Sequence, residues 1–278
     1  MGTGRETARH WRHPGVPGVD LLHARYVSHR YAKHTHDAYA IALVRDGVEE
    51  WWYRGGTVRA GAGGIGLVNP DTVHTGHAGV PEGWAYRVLY PSVPALREVA
   101  DELGLPPGTP WFAEPVVDNP ALARLLLAAH RAAESGDALA AGSLTRELFG
   151  HLLTRYAGRR PSLPRVPGGG AALAERARDV LHHQLADPPS LAELADRLGT
   201  GQFTLLRAFR ARYGLPPHAY LTQQRVRAAR TLLDAGLAPA DAAGRVGFVD
   251  QAHLSRHFRR ILGVPPGAYR RERTPDTA

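Results

Sequence analysis

The sequence predicts two domains of different class: an N-terminal all-β barrel followed by helices, and a C-terminal all-α domain in which a helix joins two helix-turn-helix units. Three observations lead there. Between residues 20 and 95, short apolar or alternating runs are broken by Gly, Asp, Asn and Pro, the pattern of antiparallel strands and tight turns. Residues 158–170 are rich in proline and glycine and carry no apolar period, the composition of a linker. Residues 205–220 and 254–269 are two copies of one pattern, offset by a constant 49 positions. Leu205, Arg207, Phe209, Arg210, Gly214, Pro216, Pro217 and Tyr220 return as Leu254, Arg256, Phe258, Arg259, Gly263, Pro265, Pro266 and Tyr269. Such a repeat is one supersecondary unit used twice.

In chain order, residues 1–18 read as a flexible N-terminus, and residues 19–157 as the barrel domain. Candidate strands are 21–27, 38–45, 48–53, 56–59, 65–68 and 84–90, with turns at 45–47, 54–56 and 69–71. Many short antiparallel strands with regular turns suggest a small barrel or jelly roll. Asn119 and Pro120 then open a helix with Leu122, Leu125, Leu126 and Ala129. A second helix from about Ala138 carries Leu144, Leu148, Leu152 and Leu153, a stripe suited to an antiparallel pair between subunits or to packing on its own barrel. The linker is placed at 158–171 and the helical domain at 172–278.

Within the helical domain, Ser190 and Glu193 form a capping box at a helix start, and Gly199 follows the last apolar residue, where a left-handed C-cap belongs. The next helix, about 201–213, buries Leu205, Ala208 and Phe209. Phe203, Leu206, Arg207 and Arg210 lie at i, i+3, i+4 and i+7 on another face, placing arginine beside exposed apolar groups. In the second unit Leu254, Phe258 and Ile261 point inward, which leaves Gln251, Ala252, Ser255, Arg256 and Arg259 outward. Residues 218–234 form one connecting helix. Arg207 and Arg256 could instead be structural, paired with carboxylates such as Glu193 or Asp250.

The stretch from Ser190 through Gly214, Arg225, Gly247, Asp250 and Gly263 to Arg270 resembles the DNA-binding domain of the AraC/XylS family of bacterial transcription regulators, over about residues 172–271. Ala242 stands where that family usually has Ile or Leu, and Leu254 where it often has an aromatic. The resemblance implies groove-facing positions at Gln202, Phe203, Leu206 and Arg207, and at Gln251, Ala252, His253, Ser255 and Arg256. The N-terminal half, through its His-Thr-His at 34–36, its Arg-Asp-Gly at 45–47 and the run from Gly64 to His74, resembles the family's cupin-type sensory domain. A cupin-like barrel holds a small molecule where aromatic walls and a few polar groups converge. The candidates are His36, Tyr39, Arg45, Trp52, His74, Trp84 and Tyr86. By resemblance, a ligand-contacting arginine falls on Arg45, a stacking tryptophan on Val88 and its neighbouring histidine on Tyr86; loss of that indole argues against a sugar. His34, His36 and His74 raise a metal hypothesis. However, Ala40 and Ile41 occupy the positions where metal-binding cupins carry their glutamate, so no metal and no cofactor is expected.

The composition fits a DNA partner. The 278 residues carry a formal charge of +8 and a pI near 10.2. Residues 171–278 hold 16 Arg against 10 Asp and Glu, a net of +6, so the basic excess sits with the repeat. The absence of cysteine excludes disulfides and thiolate chemistry. No run of about 18 apolar residues spans a membrane, and the N-terminus lacks the apolar core of a signal peptide. The expectation is a cytoplasmic, non-enzymatic one-component regulator, acting as a homodimer on double-stranded promoter DNA, with a small organic effector and RNA polymerase as partners. Two alternatives stand beside it: a metal-dependent cupin enzyme fused to a DNA-binding domain, and a ligand-independent DNA-binding dimer.

Overall fold

A computed structural model describes residues 6–159 and 169–271. The chain divides into two compact units, Met1–Pro161 and Ser162–Ala278. The first holds strands β1 (Thr7–Arg12), β2 (Val19–Tyr26), β3 (Arg30–His34), β4 (Ala40–Tyr53), β5 (Gly56–Gly61), β6 (Ile65–Val68), β7 (His74–Ala78) and β8 (Trp84–Pro91). These are followed by α1 (Val93–Glu102), β9 (Trp111–Phe112), β10 (Val116–Val117), α2 (Pro120–Ser135), α3 (Ala138–Tyr156) and β11 (Ala157–Gly158). The second unit is helical: α4 (Gly170–His183), α5 (Leu191–Arg197), α6 (Gln202–Tyr213), α7 (Pro217–Asp234), α8 (Pro239–Arg245), α9 (Gln251–Leu262) and α10 (Pro266–Arg271).

Strand order β1-β2-β8-β4-β6-β10 forms an antiparallel sheet, and β3, β7 and β5 join it through β4 into an open, barrel-like wall. The first half of β4 pairs with β8 and β6, the second with β5 and β7. Its register against β8 slips between Val44 and Asp46, so Arg45 is the extra residue of a bulge. The turn expected at 45–47 is this bulge inside one continuous strand. Side chains alternate with period two, and an inserted residue reverses which parity faces inward. Ala40, Ala42 and Val44 before the bulge, and Trp51 and Tyr53 after it, therefore share one interior cluster with Leu22, Ala24, Tyr26, Trp84, Tyr86 and Val88.

The other face of the sheet, with Leu21, Ile41, Leu43, Leu67 and Leu89, is covered by Leu96, Leu122, Leu126, Leu148 and Leu152 from α1, α2 and α3. Of the α3 leucine stripe, Leu148, Leu152 and Leu153 are buried in this core, while Leu144 is half-buried. Local chemistry sets the helix starts. The Asn119 side chain caps α2 ahead of Pro120, and Asp137 caps α3.

Within the flexible N-terminus expected for residues 1–18, residues 1–5 lie outside the described residues, and Thr7–Arg12 is instead a strand that pairs antiparallel with β2, from Thr7 opposite Arg25 to Arg12 opposite Asp20. One Glu6 carboxylate oxygen accepts from Val27 N (3.0 Å), Ser28 N (2.6 Å), Ser28 Oγ (2.9 Å) and His29 N (2.9 Å). Of the linker placed at 158–171, residues 160–168 lie outside the described residues. At its ends, Gly158 pairs with Trp111 and Gly170 opens α4.

In the helical unit, the capping box of Ser190 and Glu193 starts α5. Gly214 and Gly263 end α6 and α9 in the left-handed conformation at φ 71° and 78°. α7 has 18 residues, roughly 27 Å of helix. Arg225 on α7 reaches the Leu185 carbonyl at 2.9 Å and that of Ala186 at 3.1 Å, with its guanidinium 5.9 Å from the Phe248 ring centre. Tyr269 donates to Asp234 at 3.0 Å, tying α10 to the end of α7.

Burial raises the Glu6 pKa, but the four hydrogen bonds outweigh it and hold the carboxyl down at about 2. A lowered carboxyl stabilises the fold above its unfolded pKa and loses that contribution as pH falls from about 4.5 to about 2. Glu6→Ala is expected to lower stability by about 1–2 kcal/mol at neutral pH. Denaturant melts should show the difference from wild type shrinking through that acid window.

Candidate nucleic-acid interface and ligand site

α6 and α9 are both 12-residue helices, and their residues correspond at the 49-position offset. Each is seated by its middle: Leu205, Ala208 and Phe209 in one, Leu254 and Phe258 in the other, are buried. Gln202, Phe203, Arg207 and Arg210 are exposed on α6, with Leu206 half-buried. Gln251, Ala252, Arg256 and Arg259 are exposed on α9, with His253 and Ser255 half-buried. Phe203 is 83% exposed, an unusual place for a phenyl ring in a domain that buries its other phenylalanines. Arg207, Arg210 and Arg256 have no ion-pair partner among the described residues. The two carboxylates that could have held them are engaged locally, Glu193 in the capping box and Asp250 as an acceptor from His253 N at 2.6 Å. Sequence reasoning missed Val249, 88% exposed in the turn before α9; its only signal was an apolar residue in a polar turn.

The interior of the sheet domain is polar and aromatic. Tyr31 OH lies 2.8 Å from Tyr86 OH and 3.3 Å from Tyr26 OH. Tyr26, Trp84 and Tyr86 pack ring to ring, and His36 meets Tyr90 edge-on at 5.6 Å. Burial raises the Tyr31 and Tyr86 hydroxyls far above the phenol range, helped by their neighbouring tyrosines. The Glu49 carboxyl is pushed up to about 8 by burial.

Of the ligand residues expected, His36, His74, Trp84, Tyr86 and Val88 come together on this interior face. Tyr39, Arg45 and Trp52 do not. Tyr39 shares parity with Ile41 and Leu43, faces the helices against Phe112 and donates to the Pro110 carbonyl at 2.7 Å. Arg45 is the bulged residue and is exposed. Trp52 follows the parity reversal outward, with the Lys33 ammonium 4.1 Å from its ring centre; Trp51 takes the interior position. Glu49, Tyr31 and Tyr90 were not foreseen, because Glu49 lies beyond the bulge and β3 has no apolar alternation.

Three imidazoles also meet here. A ring nitrogen from each of His34, His36 and His74 lies within 4.8 Å of the others. In each ring Nδ1 faces a backbone carbonyl two residues away: Ala32 at 2.7 Å, Ala38 at 2.7 Å and Thr72 at 2.9 Å. Burial lowers the His74 pKa to about 4, outweighing the opposing effect of the Thr72 carbonyl.

A family model for the AraC-like ligand binding domain matches residues 16–153, and a model for a helix-turn-helix domain matches residues 194–272. These stretches are the sheet domain with its helices and the double-motif domain. The chain belongs to the AraC family. This AraC-family chain is 36% identical over 129 residues to an AraC-like transcription regulator of Streptomyces lividans, covering 45% of this chain and 42% of the relative, so it spans less than half that relative's length. It is 25% identical over 240 residues to the uncharacterized HTH-type transcriptional regulator YbfI of Bacillus subtilis, covering 85% of this chain and 86% of the relative. Among solved structures it is similar in fold to ToxT of Vibrio cholerae, with a TM-score of 0.53 at 11% identity over 98% of each chain. No helix among the described residues is long and apolar enough to cross a membrane.

Because the folded-state pKa of Glu49 is raised, the native state holds that proton more tightly than the unfolded chain. Its contribution is complete below about pH 4.5 and is lost as pH rises through about 8. In thermal melts across pH 4 to 9, Glu49→Gln should gain on wild type through this window. Parallel curves would place Glu49 in a solvated setting.

Proposed function

We propose that this chain is a cytoplasmic one-component transcription regulator and not an enzyme. Its helical unit binds double-stranded promoter DNA, and its sheet domain takes a small organic effector. The reading rests most heavily on the matched pair α6 and α9: two helices of equal length, each seated by a buried Leu and Phe at equivalent positions and each offering Arg207 or Arg256 at the same place on an exposed face. An arginine on an exposed helix face can donate two parallel hydrogen bonds to a guanine edge in the major groove. Joined by α7 and fixed by Arg225, the pair suits successive major-groove faces, roughly 34 Å apart. A second copy of the chain on the operator and contact with RNA polymerase complete the proposed assembly.

For the effector, the support is an interior that combines Trp84, Tyr86, Tyr31 and Val88 with the polar groups His36, His74 and Glu49. ToxT, similar in fold, has been crystallised with an unsaturated fatty acid. An effector would act by binding two arrangements of the protein with different affinity.

Arg207→Ala and Arg256→Ala are each expected to weaken specific binding by about 1–3 kcal/mol and to relax preference at base positions about one helical turn apart. Unchanged footprints in both variants would remove the assignment of these helices to the groove. Binding of the full chain should also fall steeply with salt, with a log–log slope of roughly −4 to −7, as several released counterions require. A slope near zero in a filter-binding titration would make the basic charge incidental.

A further inference from the structure

Among the carboxylates of β4, Glu49 is set apart. Asp46 is paired with Arg25, and Glu50, on the outward side, with Arg59 and His77. The Glu49 carboxylate makes no hydrogen bond or ion pair among the described residues. It has the interior parity of Trp51 and Tyr53, with Ala60 of β5 and Ala78 of β7 opposite it in register. A Cβ on Gly76 would meet Tyr31 Cδ2 at 3.0 Å and Glu49 Oε1 at 3.5 Å, so ring and carboxylate border one small space. The Glu49 charge also bears on the Tyr86 and Tyr90 hydroxyls. Tyr26 completes the aromatic set, edge-on to Tyr31 at 5.9 Å and 6.2 Å from Tyr86. This face is open: its cluster is built from strands alone, and Tyr31, Glu49 and Tyr90 keep part of their surface while Leu22, Ala24 and Trp84 are buried. No lysine or arginine of the described residues meets the carboxylate. Arg12, in step with Ala8 at the edge of this face, is held by Asp20 at 2.6 Å, and Lys33 lies over the outward Trp52.

We propose that this face binds a small organic ammonium ion, with the Glu49 carboxylate as its counter-charge and Tyr31, Tyr86 and Tyr90 as its aromatic walls. The assignment rests on the reading of the sheet domain as the effector-binding part of the chain. The faces of aromatic rings are negative and attract cations, most strongly where water is excluded. A carboxylate without a partner in such a setting is costly, and an ammonium ion removes that cost. A ligand carboxylate would find no cation here and would face Glu49 instead. Binding is then coupled to pH. Burial holds the proton on free Glu49 up to about pH 8, and a bound cation favours the charged form. Binding near neutral pH therefore releases a proton, and affinity rises as pH approaches 8. The Tyr31, Tyr86 and Tyr90 hydroxyls are held far above this range, and burial lowers His74 to about 4. Tyr26, His10, His34, His36 and the Arg12–Asp20 pair share the face, and a Glu49→Gln variant keeps all of them.

The test is calorimetry on the full chain with probes matched in shape. These are choline and benzyltrimethylammonium, the carbon isostere of choline with tert-butyl in place of trimethylammonium, and tert-butylacetate. At about pH 8 a quaternary cation should bind at one per chain, at least about tenfold more tightly than the isostere. Its affinity should fall at least about tenfold by about pH 6, and titrations in buffers of different ionisation heat should show proton release. Glu49→Gln should remove both the preference for the cation and the pH dependence. Tyr31→Leu should weaken cation binding by about threefold. If Glu49→Gln does not fold by circular dichroism, Tyr31→Leu, at a half-buried position, carries the comparison. The proposal falls if cation and isostere bind equally, or if the variants keep wild-type cation affinity. If the isostere or tert-butylacetate binds and neither cation does, the effector reading stands and the proposal alone falls. If no probe binds, both fall.

Discussion

The sheet domain depends on one inserted residue. β4 is the strand shared by both halves of the wall, and Arg45 is its bulge. Were Arg45 paired in regular alternation and not bulged, the period-two rule would turn Trp51 and Tyr53 outward and bring Glu50 and Trp52 in, ending the interior cluster halfway along the strand. The bulge is held by a close crossing of three strands. Gly47, two residues on, has φ of 69°, and a Cβ there would lie 1.9 Å from the Gly83 carbonyl oxygen. Gly83 has φ of 87°, and its own Cβ would meet the Tyr26 carbonyl at 2.1 Å. Only residues without a side chain allow β2, β4 and β8 to meet so closely.

The same bulge explains which parts of the site were legible in the sequence. The helical domain could be read almost residue by residue, because its signals are local: a capping box at Ser190 and Glu193, prolines at helix starts, glycines at left-handed ends, and an apolar face repeated 49 positions later. β2, β6 and β8 were legible as apolar runs. Beyond Arg45, alternation counted from Val44 selects Trp52 and passes over Trp51, since nothing in the sequence marks a bulge within a strand. β3 and β7 carry His, Lys, Gly and Thr and have no apolar alternation, because their inner side lines a polar interior. β1 was missed for another reason. Its anchor, Glu6, is bound by residues 21 to 23 positions away, a partnership that no local pattern records.

In the helical domain, the connecting helix does more than separate two motifs. Arg225 joins α7 to the carbonyls that end the segment after α4, and its guanidinium also lies against Phe248 in the second motif's turn. Gly247 is needed beside it, since a Cβ there would come within 2.4 Å of the Ala186 carbonyl oxygen. One side chain therefore ties the turn of the second helix-turn-helix unit to the segment that leads into the first. The placement of α6 and α9 is set by packing within the domain, through α7, which contacts both.

The interior of the sheet domain is built on the opposite logic. Buried polar groups destabilise a fold unless they are paired, and an apolar filling would serve a purely structural barrel better. Here the wall pairs Tyr31 with Tyr86 and holds three imidazoles by backbone carbonyls, yet leaves Glu49 with a carboxyl that burial drives towards its neutral form. The helix-facing side of the same sheet, by contrast, is filled with Leu, Ile and Val and closed by α1 to α3. With stability supplied on that side, the interior can carry polar groups that cost stability on their own. That division of labour between the two faces of one sheet is what a domain that senses a small ligand requires.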